Sequence, residues 1–252
     1  MQTNAKLILL TAWLSLICRT AELPAIDGGQ GQPPYGGLGE LSSFSTSFMT
    51  GQEARNHNIR LAASILNGKM ISPGQLFSFN DTIGQRTSDR GFVKATSIEF
   101  GNKLNLEGGG ICLVSSVLYV SALMAGMEIV ERYPHSRQVP YILPGNDATV
   151  DFGMKDLKFK NSFTQPVVIE TSIRGSRLII RLLSQIISPY KMLLNSTSHL
   201  EDQGMVRIKV FRSRTQNGHV ISDELISDDL YPAEDTRRSK ETPLEDGVSW
   251  SN

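Results

Sequence analysis

Residues 108–119 read Gly-Gly-Gly-Ile-Cys-Leu-Val-Ser-Ser-Val-Leu-Tyr, and they are the stretch around which the rest of the chain is organised. Apolar residues recur there every three or four positions as far as Ala125, which predicts a helix, and Gly126 is typical of a residue that ends one. Cys112 would then lie in the first helical turn. Unpaired backbone N–H groups and the helix dipole at that end favour the thiolate, which is the nucleophilic form of cysteine.

Cys112 has two interpretations. As a nucleophile it would use the glycines, which let other backbone approach closely and leave room for a substrate chain. As a structural residue it would be a small buried hydrophobe, since free cysteines are among the most buried residue types. The glycine run favours the first interpretation because packing gives no evident reason for its length. The exported character of the chain favours it as well.

Composition excludes several classes of protein. The chain has 252 residues, of which 25 are basic and 25 acidic, so no net field attracts nucleic acid or an anionic membrane. Its two cysteines, Cys18 and Cys112, offer neither a disulfide framework nor a metal-binding pair. Phosphate-binding loops, dinucleotide fingerprints and zinc-protease motifs are missing from the sequence. We therefore expect no cofactor, no metal and no nucleic-acid partner.

The N-terminus has the composition of a targeting segment. Lys6 followed by an apolar run at 7–18 is typical of a secretory signal peptide, although a short uncleaved anchor also fits. We expect an exported protein whose membrane contact is limited to this segment, and loss of Cys18 with the signal would leave Cys112 as the only cysteine. The predicted organisation is a signal peptide at 1–20, a Gly/Pro-rich linker at 21–40, one domain at 41–185, a C-terminal hairpin extension at 186–232 and a flexible tail at 233–252.

The periodicity predicts an α+β fold in which a few helices pack on mainly antiparallel strands, with β-hairpins at the C-terminus. A second helix is predicted at 54–66, with Asn56 and Asn58 as capping groups and His57 on an exposed face. Strands are predicted at 41–48, 76–79, 92–100, 127–130, 167–172, 177–183, 205–211 and 219–225. The last four strands are expected to form two hairpins, the second turning at Asn217-Gly218.

His135 is the candidate partner of the thiol. The chain returns from the predicted helix through a strand, so His135 can lie near Cys112 and accept its proton. The other interpretation is a hydrogen-bonding loop residue after Pro134, and the scarcity of histidines favours the catalytic one. Asp147 can orient His135, bind a substrate amine or bond to its own turn backbone. A polar loop at 80–91, which carries Arg86, Asp89 and Arg90, is either functional or simply solvated.

Several ordered motifs resemble the VanW family, and the resemblance runs from about residue 42 to about residue 231. The matching pieces are residues 58–63, 73–80, 108–116, 131–136 and 145–150. The family is typical of Gram-positive bacteria and of the cell envelope, and its name comes from a gene in some glycopeptide-resistance clusters. The resemblance therefore implies a VanW-like domain at 41–185 in a cell-wall or membrane-associated protein, with peptidoglycan stem peptides as its partners.

The resemblance also implies an activity, because some members are understood to be L,D-transpeptidases that use the cysteine of this motif. Cys112 would form a thioester with a peptidoglycan stem tetrapeptide, and the amine of a second stem would convert it into a 3–3 cross-link. His135 would act as base and then as acid. The backbone N–H groups that would stabilise the oxyanion are those of Gly110, Ile111, Cys112 and Leu113. The residues that would bind substrate or orient other groups are Arg132, Ser115, Ser116, Tyr141 and Asp147.

Two positions depart from the family pattern. Leu113 stands where glutamine is usual, and Val117 where threonine is usual. The change at Leu113 favours an alternative, a non-catalytic envelope protein that binds peptidoglycan or scaffolds a wall complex, with a link to glycopeptide resistance. A third hypothesis is a papain-like amidase or peptidase, in which water replaces the acceptor amine.

Overall fold

The computed structural model describes residues 37–99, 102–186 and 188–233. The helices in these ranges are Glu53–Leu66 (α1), Phe79–Ile83 (α2) and Ile111–Ala125 (α3). The strands are Gly39–Ser47 (β1), Met70–Ile71 (β2), Leu76–Ser78 (β3), Lys94–Glu99 (β4), Asn102–Glu107 (β5), Glu128–Glu131 (β6), Lys158–Lys160 (β7), Val167–Arg174 (β8), Arg177–Ser184 (β9), Lys191–Glu201 (β10), Met205–Gln216 (β11) and His219–Pro232 (β12). The predicted α+β class is confirmed. The predicted signal peptide, most of the linker and nearly all of the tail lie outside the described residues.

The strands pair antiparallel in four sheets within the described ranges. Their orders are β1-β9-β8-β2, β3-β7-β6, β4-β5 and β10-β11-β12. Both predicted C-terminal hairpins are confirmed, as β8–β9 and β11–β12. Asn217 and Gly218 have φ values of 51° and 80°, the positive dihedrals that a tight Asn-Gly hairpin turn requires. β1, which the alternating residues at 41–48 predicted as a strand, lies at the edge of its sheet.

Helix α3 is the centre of the hydrophobic core. All of its fifteen residues except Cys112 and Met124 are buried, and it packs against α1, β1 and β9. Buried serines fasten it to the first sheet, since Ser121 Oγ donates to Ile180 O at 3.0 Å and Ser42 Oγ donates to Ser121 O at 2.7 Å. These packing contacts and hydrogen bonds fix the position of the helix and therefore of its first turn. Across the described ranges, no helix has the length and apolarity needed to span a bilayer.

The predicted capping role of Asn56 and Asn58 is wrong. Helix α1 begins three residues before Asn56, and both side chains lie on its buried face. Asn58 is completely buried; its Nδ2 donates to Val93 O at 2.8 Å and to Gly109 O at 3.1 Å, while its Oδ1 accepts from Val93 N at 2.9 Å. Asn58 therefore connects α1 to the glycine run that precedes α3. His57 is exposed, as predicted.

Several local predictions differ from the structure. Phe79 starts α2 instead of ending a strand, because Ser78 Oγ accepts from Asp81 N at 3.0 Å and caps a helix there. The strand predicted at 92–100 begins at Lys94 and is followed by a partner strand, β5, that was not predicted. β7 and β10 were also not predicted. β7 is too short for a period, and β10 has mostly exposed residues, so neither shows a clear alternation.

Candidate active site

Cys112 lies in the first turn of α3, as predicted, and it is partly exposed while Ile111 and Leu113 are buried. Four amides were expected to face an oxyanion, and two of them are already used. Ile111 N donates to Gly108 O at 3.2 Å, and Leu113 N donates to Gly110 O at 3.1 Å. The amides of Gly110 and Cys112 donate to no acceptor within the described part of the chain. The predicted set of oxyanion donors is thus reduced to these two.

The three glycines at 108–110 each have a packing reason, contrary to expectation. A Cβ on the first would lie 2.7 Å from Arg86 Cβ, and one on the third would lie 2.7 Å from Arg55 Cγ. A Cβ on the second would collide with the carbonyl group of Ala95, whose carbon would be 2.7 Å away. The absence of side chains at 108–110 therefore lets strand β4 and two arginines pack against the start of α3. The expected close approach of other backbone is confirmed at Gly109.

His135 lies beside Cys112, and Asp147 holds it there. Asp147 Oδ2 accepts from His135 Nδ1 at 2.7 Å and from the His135 backbone N at 2.6 Å. Because Nδ1 is committed to the carboxylate, Nε2 is the nitrogen that remains for the thiol. Tyr141 OH is 3.3 Å from this Nε2. The structure thus brings together four of the predicted residues, Cys112, His135, Asp147 and Tyr141.

The three ionisable groups shift one another's pKa values. Burial tends to raise the pKa of Cys112, but the hydrogen bond and positive charge of His135 outweigh burial and lower it. Burial tends to lower the pKa of His135, but its hydrogen bonds to Asp147 and Cys112 raise it to about 9. Burial tends to raise the pKa of Asp147, but the hydrogen bond to His135 and the charge of Arg132 lower it. The arrangement favours a thiolate–imidazolium pair backed by an ionised carboxylate.

Asp147 has only 1% of its side chain exposed, and it is held from both sides. Arg132 donates to it twice, from Nη2 to Oδ1 at 3.1 Å and from Nε to its backbone carbonyl at 2.6 Å. Tyr231 OH donates to the same Oδ1 at 2.6 Å and accepts from Gly145 N at 3.0 Å. Arg132 also pairs with Asp229. Of the three roles considered for Asp147, this burial and these bonds favour orienting His135.

Tyr231 and Asp229 belong to β12, so the C-terminal sheet contributes directly to the site. The C-terminal sheet packs closely against the loop that precedes Asp147, because Gly145 in that loop has no side chain. A Cβ at Gly145 would lie 2.6 Å from Val210 Cγ2 of β11, and its φ of +84° also favours glycine. Arg212 of the same strand donates to Met127 O at 2.7 Å, just beyond the C-terminal end of α3. No local pattern in the sequence indicated these contacts. The only signal for them was a resemblance that extends to about residue 231.

Ser115 and Ser116 are completely buried, so they cannot contact a substrate directly. Ser115 Oγ donates to Ala148 O at 2.6 Å. Ser116 Oγ donates to Cys112 O at 2.6 Å and accepts from Ala148 N at 2.9 Å. They join the first turn of α3 to the residue after Asp147. This burial, together with that of Arg132, whose side chain is 6% exposed, favours the orienting alternative over substrate binding for all three residues.

Leu113 does not face the site. Its side chain is completely buried in the hydrophobic core, as is that of Val117. At both positions that depart from the family pattern, this chain therefore places an apolar side chain in the core. Elsewhere among the described residues, no cluster of three or more His, Cys, Asp or Glu side chains is arranged to hold a metal ion.

The arrangement has the parts of a nucleophilic acyl-transfer site. A thiol with a lowered pKa lies beside an imidazole, the imidazole is oriented by a carboxylate, and free backbone amides lie at the start of the same helix. A nucleophile, a base and an orienting group in hydrogen-bonding sequence characterise covalent catalysis by cysteine.

Comparison with known proteins gives three matches. The family model described as "VanW like protein" matches residues 54–183, just over half of the chain. "Uncharacterized protein YoaR" of Bacillus subtilis (strain 168) is 41% identical over 145 residues, which cover 58% of this chain and 48% of that protein. "Vancomycin B-type resistance protein VanW" of Enterococcus faecalis (strain ATCC 700802 / V583) is 28% identical over 198 residues, covering 74% of this chain and 72% of that protein. The chain therefore spans about half the length of the first relative. No solved structure gave a significant match.

Proposed function

The chain belongs to the family of VanW-like proteins, and on that premise we propose that it is an L,D-transpeptidase that forms peptidoglycan cross-links through Cys112. The observation that carries this proposal is the placement of His135 beside Cys112, with the imidazole held by Asp147. We place the enzyme outside the cytoplasm, at the cell wall or membrane, where its peptidoglycan substrate is found. The Enterococcus faecalis relative is named a vancomycin B-type resistance protein, and this similarity supports a link to vancomycin resistance.

The first half of the reaction forms a thioester. The thiolate of Cys112 attacks the carbonyl carbon that precedes the terminal D-alanine of a stem tetrapeptide, and the carbonyl π electrons move to oxygen. The free amides of Gly110 and Cys112 can donate to that oxyanion, an interaction worth about 3 kcal/mol per donor. The C–N bond then breaks, the imidazolium of His135 gives its proton to the leaving nitrogen, and D-alanine departs.

The second half forms the cross-link. The neutral side-chain amine of a second stem attacks the thioester carbonyl, and its proton passes to His135. The C–S bond breaks, so that the thiolate of Cys112 is restored beside the imidazolium. Asp147 stays ionised throughout and keeps Nε2 of His135 directed at the reacting atoms, because Nδ1 is bonded to its carboxylate.

The test is incubation of the purified protein with disaccharide tetrapeptide, followed by mass spectrometry. We expect a thioester adduct on Cys112 that has lost one D-alanine, and a dimer with a 3–3 link. Cys112→Ala, the matched control, should give neither product. Shortened stems without dimers would mean that water is the acceptor and would favour a peptidase. Binding of the tetrapeptide with no adduct would favour the non-catalytic alternative.

A further inference from the structure

Two arginines lie against the first turn of α3 and are not used in the mechanism above. Arg55 comes from α1 and packs against the third glycine of the run at 108–110, while Arg86 comes from the loop after α2 and packs against the first. The guanidinium carbon of Arg55 is 5.9 Å from the centre of the Tyr141 ring, and Tyr141 OH is 3.3 Å from Nε2 of His135. Arg55 therefore lies on the histidine side of the sulfur.

Arg86 lies on the other side. Its guanidinium carbon is 5.8 Å from the centre of the Phe152 ring. Phe152 is two residues after Val150, whose carbonyl oxygen is 3.6 Å from Cys112 Sγ. Consistent with this placement, the charge of Arg86 contributes to the lowered pKa of the thiol. The two guanidinium groups thus border the sulfur from two directions.

Neither guanidinium has an ion-pair partner within the described part of the chain. Arg132 pairs with Asp147 and Asp229, whereas Arg55 and Arg86 form no ion pair with any described carboxylate. Nη2 of Arg86 donates to Asn80 Oδ1 at 2.7 Å, but its buried Nη1 has no hydrogen-bond partner, and Arg55 donates no side-chain hydrogen bond to a described residue. A partly buried cation with unused donors costs free energy that a bound anion would recover.

We infer that Arg55 and Arg86 form a carboxylate-binding subsite that holds the acyl donor beside Cys112. Guanidinium groups match the geometry of carboxylates and bind them through paired, charge-assisted hydrogen bonds. The inference rests on the proposed function, since it names the donor group that the same site recognises. A stem tetrapeptide whose diamino acid carries a side-chain carboxyl group offers two such carboxylates near the scissile carbonyl, that of the terminal D-alanine and that of the diamino-acid side chain. Binding of the C-terminal carboxylate would restrict cleavage to the terminal residue, whereas binding of the side-chain carboxylate would also allow longer stems.

The experiment compares three donors. They are the disaccharide tetrapeptide as the free acid, its C-terminal carboxamide, and the form amidated on the diamino-acid side chain. The rate of Cys112 acylation is followed by mass spectrometry for the native protein, Arg55→Gln, Arg86→Gln and Arg86→Lys. Arg60→Gln is the matched control, because Arg60 is an exposed arginine on α1 that packs over Phe48, away from the sulfur. Thermal unfolding checks that each variant is folded.

In the native protein we expect one amidated donor to acylate Cys112 roughly 10- to 100-fold more slowly than the free acid, the range for loss of a charged hydrogen bond. Arg86→Gln and Arg55→Gln should slow the free acid more than the slow amide, so the preference for the free acid disappears. A loss shared by both donors in Arg86→Gln reflects the raised pKa of the Cys112 thiol. Arg86→Lys should retain part of the preference for the free acid, and Arg60→Gln should retain all of that preference. The identity of the slow amide shows which carboxylate is bound.

Equal rates for all three donors, or equal losses for acid and amide in the glutamine variants, would overturn the subsite. The same donors are also titrated into Cys112→Ala by calorimetry, which measures binding without reaction. If no donor acylates Cys112, the proposed function fails; tighter binding of the free acid, lost on Arg86→Gln, would still support the subsite. Equal affinities for acid and amides would overturn it.

Discussion

Tyr231→Phe removes one oxygen atom from the site and leaves its shape unchanged. That hydroxyl donates to Asp147 Oδ1 at 2.6 Å and accepts from Gly145 N at 3.0 Å, and the Tyr231 side chain is completely buried. The variant therefore deprives a buried carboxylate of one donor and leaves a buried backbone N–H without its acceptor. Arg132 still pairs with Asp147 in the variant, so the carboxylate stays partly held.

The expected cost follows from these two losses. A hydrogen bond to a charged acceptor contributes about 1.5–3 kcal/mol, and a buried donor without a partner costs about 1–3 kcal/mol. Because the two contributions overlap at one oxygen, we expect the free energy of unfolding to fall by about 2–4 kcal/mol. The hydroxyl also helps to lower the pKa of Asp147. Its loss should raise that pKa and slow acylation of Cys112 about tenfold, through weaker orientation of His135.

Urea denaturation measures the change in stability, and the acylation assay measures the change in rate. Tyr190→Phe is the matched control, because it removes the hydroxyl of a partly exposed tyrosine in the same C-terminal extension. We expect the control to change the free energy of unfolding by less than about 0.5 kcal/mol. If Tyr231→Phe behaves like the control in both assays, the C-terminal sheet does not support the site through this hydroxyl.

Three further predictions concern the thiol and its supports. In His135→Gln, burial is no longer outweighed by the imidazolium, so the pKa of Cys112 should rise and alkylation by iodoacetamide at pH 7 should slow roughly tenfold or more; an unchanged pH profile of alkylation would contradict this. Gly109→Ala should destabilise the protein by about 2–3 kcal/mol in urea denaturation, because the new Cβ meets the backbone of Ala95 and backbone cannot move aside; a neutral effect would mean that the close approach is relieved at no cost. Asn58→Ala should cost about 3 kcal/mol, since three hydrogen bonds of a completely buried side chain are lost together, and a loss below 1 kcal/mol would refute it.

Several parts of the site could be predicted from the sequence because they depend on neighbouring residues. The apolar period after the glycine run places Cys112 in the first turn of α3, and the structure starts the helix at Ile111 and ends it before Gly126. His135 could be proposed as a partner because the chain returns along β6 directly after that helix. The sequence left three roles open for Asp147, since its partners are fixed by the path of a loop.

The contacts that were missed join residues far apart in the chain. Tyr231 bonds to a carboxylate 84 residues away, and Asn58 bonds to a carbonyl 51 residues away. No local period indicates such pairs, because each depends on how separate elements pack.

By itself, the sequence determined the helix that presents the cysteine, the hairpins and the α+β class, because hydrophobic periodicity and turn residues act over a few positions. Only the tertiary structure decided that Asp147 orients His135, that β12 supports Asp147, and that Arg55 and Arg86 border the sulfur. Those relations depend on burial, which removes water as an alternative partner and makes each buried charge depend on the groups that packing brings to it.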